Sequence, residues 1–174
     1  MAEPSGLVIG CGVTMWILAD MHVHSNHSFD GTSSLGEMCR AAVDLGITHL
    51  CFAEHFDLDP RSRAYGHFCL DRYERDIEQC RRAFGDSLEI LKGIEFSEPH
   101  LHRAELEEVQ GKDFDVVLGS VHRIDGVPLQ ELGTRMPKEQ IMELYYQEVL
   151  AMVEVGGFDV LAHLDLPRRY IGVS

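Results

Sequence analysis

The stretch Asp113-Phe-Asp-Val-Val-Leu-Gly-Ser-Val-His122 carries the reading of the fold. Its apolar run is continuous rather than alternating, as in a strand covered on both faces, and such strands belong to parallel sheets flanked by helices. Working outward, Leu101–Gln110 reads as a short helix closed by Gly111, and Leu88–Phe96 as the strand before it. Tyr73, Ile77, Cys80 and Phe84 recur at helical spacing and stop at Gly85. Ile47–Ala53 reads as a strand. Ser34-Leu-Gly-Glu37 is a capping-box match that opens a helix with Leu35, Met38, Ala42 and Leu45 on its apolar face, ended by Gly46. The first strand spans Trp16–His24. Downstream, Pro137 suits a first helical turn, and Ile141, Leu144, Tyr145, Met152 and Val153 carry a long helix to Gly156-Gly157. Phe158–Asp165 is the fifth strand. Alternating strand and helix implies a parallel sheet with right-handed crossovers, either an open doubly wound sheet or a barrel.

What stands at the strand ends matters more than that choice. The five strands end in His22 and His24, in Glu54-His55, in Glu95, in His122, and in His163 with Asp165. Metal-binding residue types therefore gather at the C-terminal ends, where α/β proteins build their sites. Alternate side chains of a strand share a face, so His22 and His24 point the same way about two rises of ~3.3 Å apart and can ligate one divalent ion. A buried Glu95 is costly to ionise alone, whereas a cation compensates it and its two oxygens can bridge two ions. His49 reads as a hydrogen-bonded core residue and His27 as a loop residue. His67, His100 and His102 are expected in solvent, and Glu105-Leu-Glu-Glu108 forms a solvated helix face. Asp30 stands in an Asp-Gly turn signal and by itself reads as a turn residue.

Composition narrows the function classes. The 174 residues carry a formal net charge of −14, which argues against binding a nucleic-acid backbone. No apolar run approaches the roughly 20 residues that cross a bilayer. Five cysteines form no CxxC pair; Cys39, Cys51 and Cys80 fall on apolar-periodic positions, which points to a reducing cytoplasm. Gly10-Cys11-Gly12 is a lone GxG and reads as ordinary chain. Residues 1–14 are expected to be an extension outside the fold, with the domain over 15–174.

Asp20-Met-His-Val-His24, Glu54-His55, Gly93-Ile-Glu95, Gly119-Ser-Val-His122 and Ala162-His-Leu-Asp165 together resemble the ordered motifs of the PHP (polymerase and histidinol phosphatase) superfamily. The likeness is greatest to its histidinol-phosphatase branch and runs from about Trp16 to Tyr170. The resemblance implies a distorted seven-stranded TIM-like (β/α) barrel holding two or three divalent ions, zinc, manganese or iron. One metal would take His22, His24 and Glu95; a second Glu95, His122 and His163; a third Asp30 and His55. It further implies a phosphomonoesterase of histidine biosynthesis acting on a small phosphorylated substrate. A metal-activated hydroxide would attack the ester, with Glu95 and His122 as the catalytic residues. Arg169, which follows the fifth strand on the loop side and offers a bidentate fork, is the candidate substrate-binding phosphate clamp, with Arg168 and Arg123 as alternatives. The same scaffold also admits phosphotyrosine or phosphodiester hydrolysis, or a non-catalytic metal-binding remnant.

Only five βα units are legible, short of the ~250 residues usual for such a barrel. The resemblance also calls for a later Asp-x-His motif, absent after Asp165. The expectation is an incomplete barrel, C-terminally truncated, whose open sheet edge invites self-association.

Overall fold

The computed structural model describes the backbone of residues 7–9, 13–15 and 17–171 and the side chains of 17–170. Five strands, β3 (Ala19–Val23), β4 (His49–Phe56), β5 (Glu89–Ser97), β6 (Val116–Ser120) and β9 (Val160–Leu161), form one sheet in the order β3-β4-β5-β6-β9. Every pairing is parallel. Strand order follows chain order with no reversal, which is the winding of a barrel rather than of a doubly wound sheet. The result is a curled half-barrel with β3 and β9 at its edges. Strands β1 (Leu7–Ile9) and β2 (Val13–Met15) pair antiparallel in a separate sheet. Cys11, its flanking glycines and Trp16 lie outside the described residues.

The helices form where capping and periodicity place them. α1 (Leu35–Asp44) starts at Ser34, which shares a reciprocal capping box with Glu37. It buries Leu35, Cys39 and Ala42 against α2 (Leu70–Phe84), which contributes Tyr73, Ile77 and Cys80. Leu45 departs from the expected apolar face and is 72 % exposed, because the helix ends at Asp44 and the chain turns at Gly46. A 3-10 turn (Pro99–Leu101) leads into α3 (Arg103–Gln110), which packs Leu106 and Val109 on the outer face of β5 and β6. α5 (Lys138–Val155) buries Ile141, Tyr145, Val149 and Met152. Val153 is exposed, since Val149 rather than Val153 continues the buried stripe.

Period-two alternation sorts the central strands into two faces. Leu50 and Phe52 point outward to α1 and α2, whereas Cys51, Ala53, Val116 and Leu118 meet on the inner face. His55, two residues beyond Ala53, and Glu95, paired with it in register, continue that inner face to the strand ends.

Two departures from the sequence reading lie beyond β6. The fifth strand is only Val160–Leu161, because β6 supports it on one side alone; the chain then turns into α6 (Leu166–Ile171). The Arg123–Gly126 stretch is a hairpin, β7 (Arg123–Ile124) and β8 (Val127–Pro128), followed by the short α4 (Leu129–Leu132). Its turn residues Asp125 and Gly126 have φ of 50° and 71°, the pair of positive angles a two-residue hairpin turn needs.

Candidate metal centre

Glu95 is the centre of the site and is fully buried. Five imidazoles surround it. His22 Nε2, His24 Nε2 and His55 Nδ1 lie 3.4, 3.2 and 3.1 Å from Oε2. His122 Nε2 and His163 Nε2 lie 3.3 and 2.7 Å from Oε1. The ring nitrogens also approach each other, at 3.1 Å for His22–His24 and 3.3 Å for His122–His163. Asp30 closes one side, 3.2 Å from His24 Nδ1 and 3.5 Å from His55 Nε2. His22, His24, Asp30, His55, Glu95, His122 and His163, read from five strand ends and one loop, are thus brought together.

Local structure explains how each arrives. Gly31 lets the loop carrying Asp30 fold tightly, since a Cβ there would stand 1.9 Å from the Ser25 carbonyl oxygen. Asp30 is therefore more than a turn residue. Glu54 lies on the outer face, opposite His55, and is fully buried. It accepts hydrogen bonds from Ser25 Oγ (2.5 Å), Ser28 Oγ (2.6 Å) and the Ser25 N–H (3.1 Å). These bonds tie the 24–31 loop to β4. His163 is held through its backbone, whose carbonyl accepts from the Tyr145 hydroxyl at 3.0 Å.

His122 is oriented by a relay. Ser97 Oγ donates to Asp57 at 2.5 Å, so at 2.9 Å it accepts from His122 Nδ1–H. That assigns the proton to Nδ1 and leaves Nε2 as the ligand atom facing Glu95. Asp57 also accepts from the Ser62 hydroxyl.

Electrostatics fit a cation. Burial pushes the Glu95 carboxyl up, but His122, His163 and His22 outweigh it and hold it well below the usual range. Burial likewise opposes a charge on His122, yet Glu95, with Glu98 and Asp57, pushes its pKa up to about 9. The His55 hydrogen bond, aided by His24, holds Asp30 well below the usual carboxylate range. The paired Nε2 atoms converge on the space beside the Glu95 carboxylate, and Glu95 Oε2 is buried without a hydrogen-bond partner among the described residues. A nitrogen and carboxylate donor set of this kind suits a divalent metal. Three overlapping triads, His22–His24–Glu95, His24–Asp30–His55 and His55–Glu95–His122, place their ligand atoms within 4.8 Å of one another.

Other expected positions fall elsewhere. Arg169 and Arg168 are exposed on α6 and have no ion-pair partner among the described residues. Asp165 and Asp20 are exposed. His27 is a buried loop residue bonded to Asp76 at 3.0 Å, outside the cage. His100 corrects the expectation of solvent exposure: its ring is buried and bonds Glu148 at 2.8 Å, because the 3-10 turn packs on α5. Ser97, Asp57 and Glu54 escape sequence reasoning, although Glu54 adjoins His55 in the quoted Glu-His pair.

Fold and site together define a barrel-type α/β protein with a carboxylate-centred histidine cage at its strand ends. Residues 20–172 match the PHP domain family, and the chain belongs to it. It is similar to a probable histidinol-phosphatase of Thermotoga maritima, 27 % identical over 153 residues, or 88 % of this chain and 57 % of the relative. A probable histidinol-phosphatase of Clostridium acetobutylicum is 29 % identical over 157 residues, with 87 % and 58 % covered. The crystal structure of histidinol phosphate phosphatase from Lactococcus lactis, complexed with zinc, L-histidinol and phosphate, superposes with a TM-score of 0.80 at 27 % identity. That match covers 88 % of this chain and 60 % of the other. The chain thus spans about three-fifths of the length of these relatives. No described helix is long and apolar enough to cross a membrane.

Proposed function

We propose that this chain is part of a metal-dependent phosphatase acting on histidinol phosphate, a phosphomonoester hydrolase of histidine biosynthesis. The observation that carries the reading is the convergence of five imidazoles on one buried carboxylate, in a chain similar to histidinol-phosphatases. His22, His24 and Glu95 would hold one zinc, manganese or iron ion, Glu95, His122 and His163 a second, and Asp30 with His55 a third. Such ions supply a water nucleophile at neutral pH and neutralise charge on phosphoryl oxygens.

The chain's own residues do the rest. Glu95 holds the two halves of the cage at a fixed separation, one oxygen toward each. Asp57 and Ser97 hold the His122 ring with Nε2, the atom that would ligate a metal, turned toward Glu95. A phosphate dianion approaching a protein of net charge −14 needs local positive charge. The guanidiniums of Arg168 and Arg169, without an ion-pair partner among the described residues, sit on α6, which begins three residues after His163, and offer bidentate forks for it. Buried free thiols at Cys39, Cys51 and Cys80 suit a reducing cytoplasm.

The test is metal content by elemental analysis beside turnover of histidinol phosphate. The His122→Ala variant is expected to lose bound metal and turnover together. Undiminished turnover in that variant would overturn the assignment.

A further inference from the structure

The loop between β3 and α1 carries two residues of the cage, His24 and Asp30, and His27 stands midway between them in the chain. Two consecutive turns build this stretch. The Ser28 N–H closes the first on the Ser25 carbonyl at 3.0 Å, and the Gly31 N–H closes the second on the Ser28 carbonyl at 3.3 Å. His27 holds the third position of the first turn and Asp30 the third position of the second. Because the turns share Ser28, the orientation of one sets that of the other.

Asp30 is not fixed by its own side chain. Its carboxylate is 44 % exposed and, among the described residues, meets only the imidazoles of His24 and His55. Its place at the cage is therefore set by the backbone that carries it. Glu54 anchors Ser25 and Ser28 to β4, but these are the two ends of the first turn. Two anchors leave rotation about the line that joins them, and Asp30 swings with that rotation. A third anchor off the line removes it.

His27 supplies the third anchor. Its ring takes no part in the cage, yet its side chain is only 1 % exposed. Nε2 lies 3.0 Å from Asp76 Oδ2 on α2, and the ring stands edge-on to Tyr73 with 5.4 Å between centroids. A buried imidazole needs its polar atoms bonded, and a carboxylate is a strong acceptor for Nε2–H. The His27 N–H also donates at 3.2 Å to Ser25 Oγ, the same hydroxyl that donates to Glu54. One turn is thus gripped by two elements, β4 through Glu54 and α2 through Asp76.

We infer that His27, held by Asp76, is a positioning residue for Asp30 and governs the filling of the ion assigned to Asp30 and His55. The inference rests on the metal-centred reading above. That ion has two protein ligands where the other two have three, so it binds last and depends most on where Asp30 stands.

The experiment is zinc titration of the full chain against a chelating indicator, with zinc per chain counted by elemental analysis. His27→Phe keeps a ring in the pocket and removes the bond, and Asp76→Ala removes its partner from the half-exposed side of α2. Each is expected to weaken the last zinc by about tenfold or more and to leave the tighter ones unchanged. Asp76→Asn, whose amide oxygen still accepts, should keep most of the affinity that Asp76→Ala loses. Asp30→Asn should weaken the same step, and adding His27→Phe to it should cost little more, since both act through one carboxylate. Hydrogen exchange of the Gly31 amide in the metal-free protein should quicken in His27→Phe. Asp76→Ala carries the test if His27→Phe fails to fold. Unaltered zinc steps in the variants overturn the inference, as does a loss spread evenly over every zinc in step with a lower urea midpoint, the mark of a merely structural role. An unaltered chain that binds zinc but never fills the last site overturns it too, whereas one that takes up no zinc at all refutes the metal-centred reading itself.

Discussion

Replacing Glu54 by Gln keeps the shape of a fully buried side chain and changes only its acceptors. The carboxylate takes the hydroxyl protons of Ser25 and Ser28, one on each oxygen. Neither serine can readily turn away. Ser25 Oγ accepts from the His27 N–H at 3.2 Å, and Ser28 Oγ accepts from the His55 N–H at 2.9 Å. A glutamine amide offers one acceptor and one NH2, so whichever way it sits, one serine hydroxyl faces a donor. One charge-assisted bond, worth about 1.5–3 kcal/mol, is lost, and the survivor falls to the ~1 kcal/mol of a neutral bond. The expected destabilisation is ~2–4 kcal/mol, a large share of the 5–15 kcal/mol typical of a domain. Urea unfolding followed by circular dichroism reads it as a lower midpoint at unchanged slope. Because the tethered loop carries His24 and Asp30, zinc affinity should also fall roughly tenfold. A loss below about 0.5 kcal/mol with unaltered zinc affinity would refute the claim that Glu54 holds this loop.

Three further outcomes are expected. In the metal-free protein, the His122 pKa is raised from 6.5 to about 9, so its contribution to stability is full below pH 6.5 and is lost as pH rises through 9; the urea midpoint in chelator should drop between pH 6 and pH 9.5. Glu95, held below its ordinary 4.5, makes the mirrored contribution, present above that value and lost as pH falls through its depressed one. Tyr73→Phe removes a buried hydroxyl that lies 2.6 Å from the Phe52 carbonyl and 3.0 Å from that of Gly93, and should cost about 1–2 kcal/mol in the same assay. Zinc at a hundredfold over its Kd should stabilise the chain by ~2.7 kcal/mol, measurable as a rise in melting temperature that chelator reverses.

The elements that sequence reading located are those whose signals are local. Ser34 and Glu37 cap α1 as their spacing predicts, and the Tyr73–Phe84 periodicity marks the buried face of α2. Site residues at strand ends were legible because alternation fixes which face a residue takes once the strand is known. The same rule separates Glu54 from His55, although both are metal-binding types. What sequence could not show depends on contacts between distant segments. Ser97 gains its role only by lying between Asp57 and His122, and His100 is buried only because Glu148 of α5 packs over it. The β7–β8 hairpin was missed despite its Asp125-Gly126 signal, since its strands are two residues each and too short to show alternation.

The unreversed strand order bears on how the cage comes into being. Each strand pairs with the one that precedes it in the sheet, so every βα unit leaving a ribosome meets a finished edge on which to dock. The ligands then accrue in sequence: His22 and His24, then His55, then the central Glu95, then His122, with His163 last. A nascent chain halted before β9 would already hold the carboxylate and four of its five imidazoles. The bond that comes last, His163 Nε2 to Glu95 at 2.7 Å, is also the shortest of the five, so synthesis itself would close the cage.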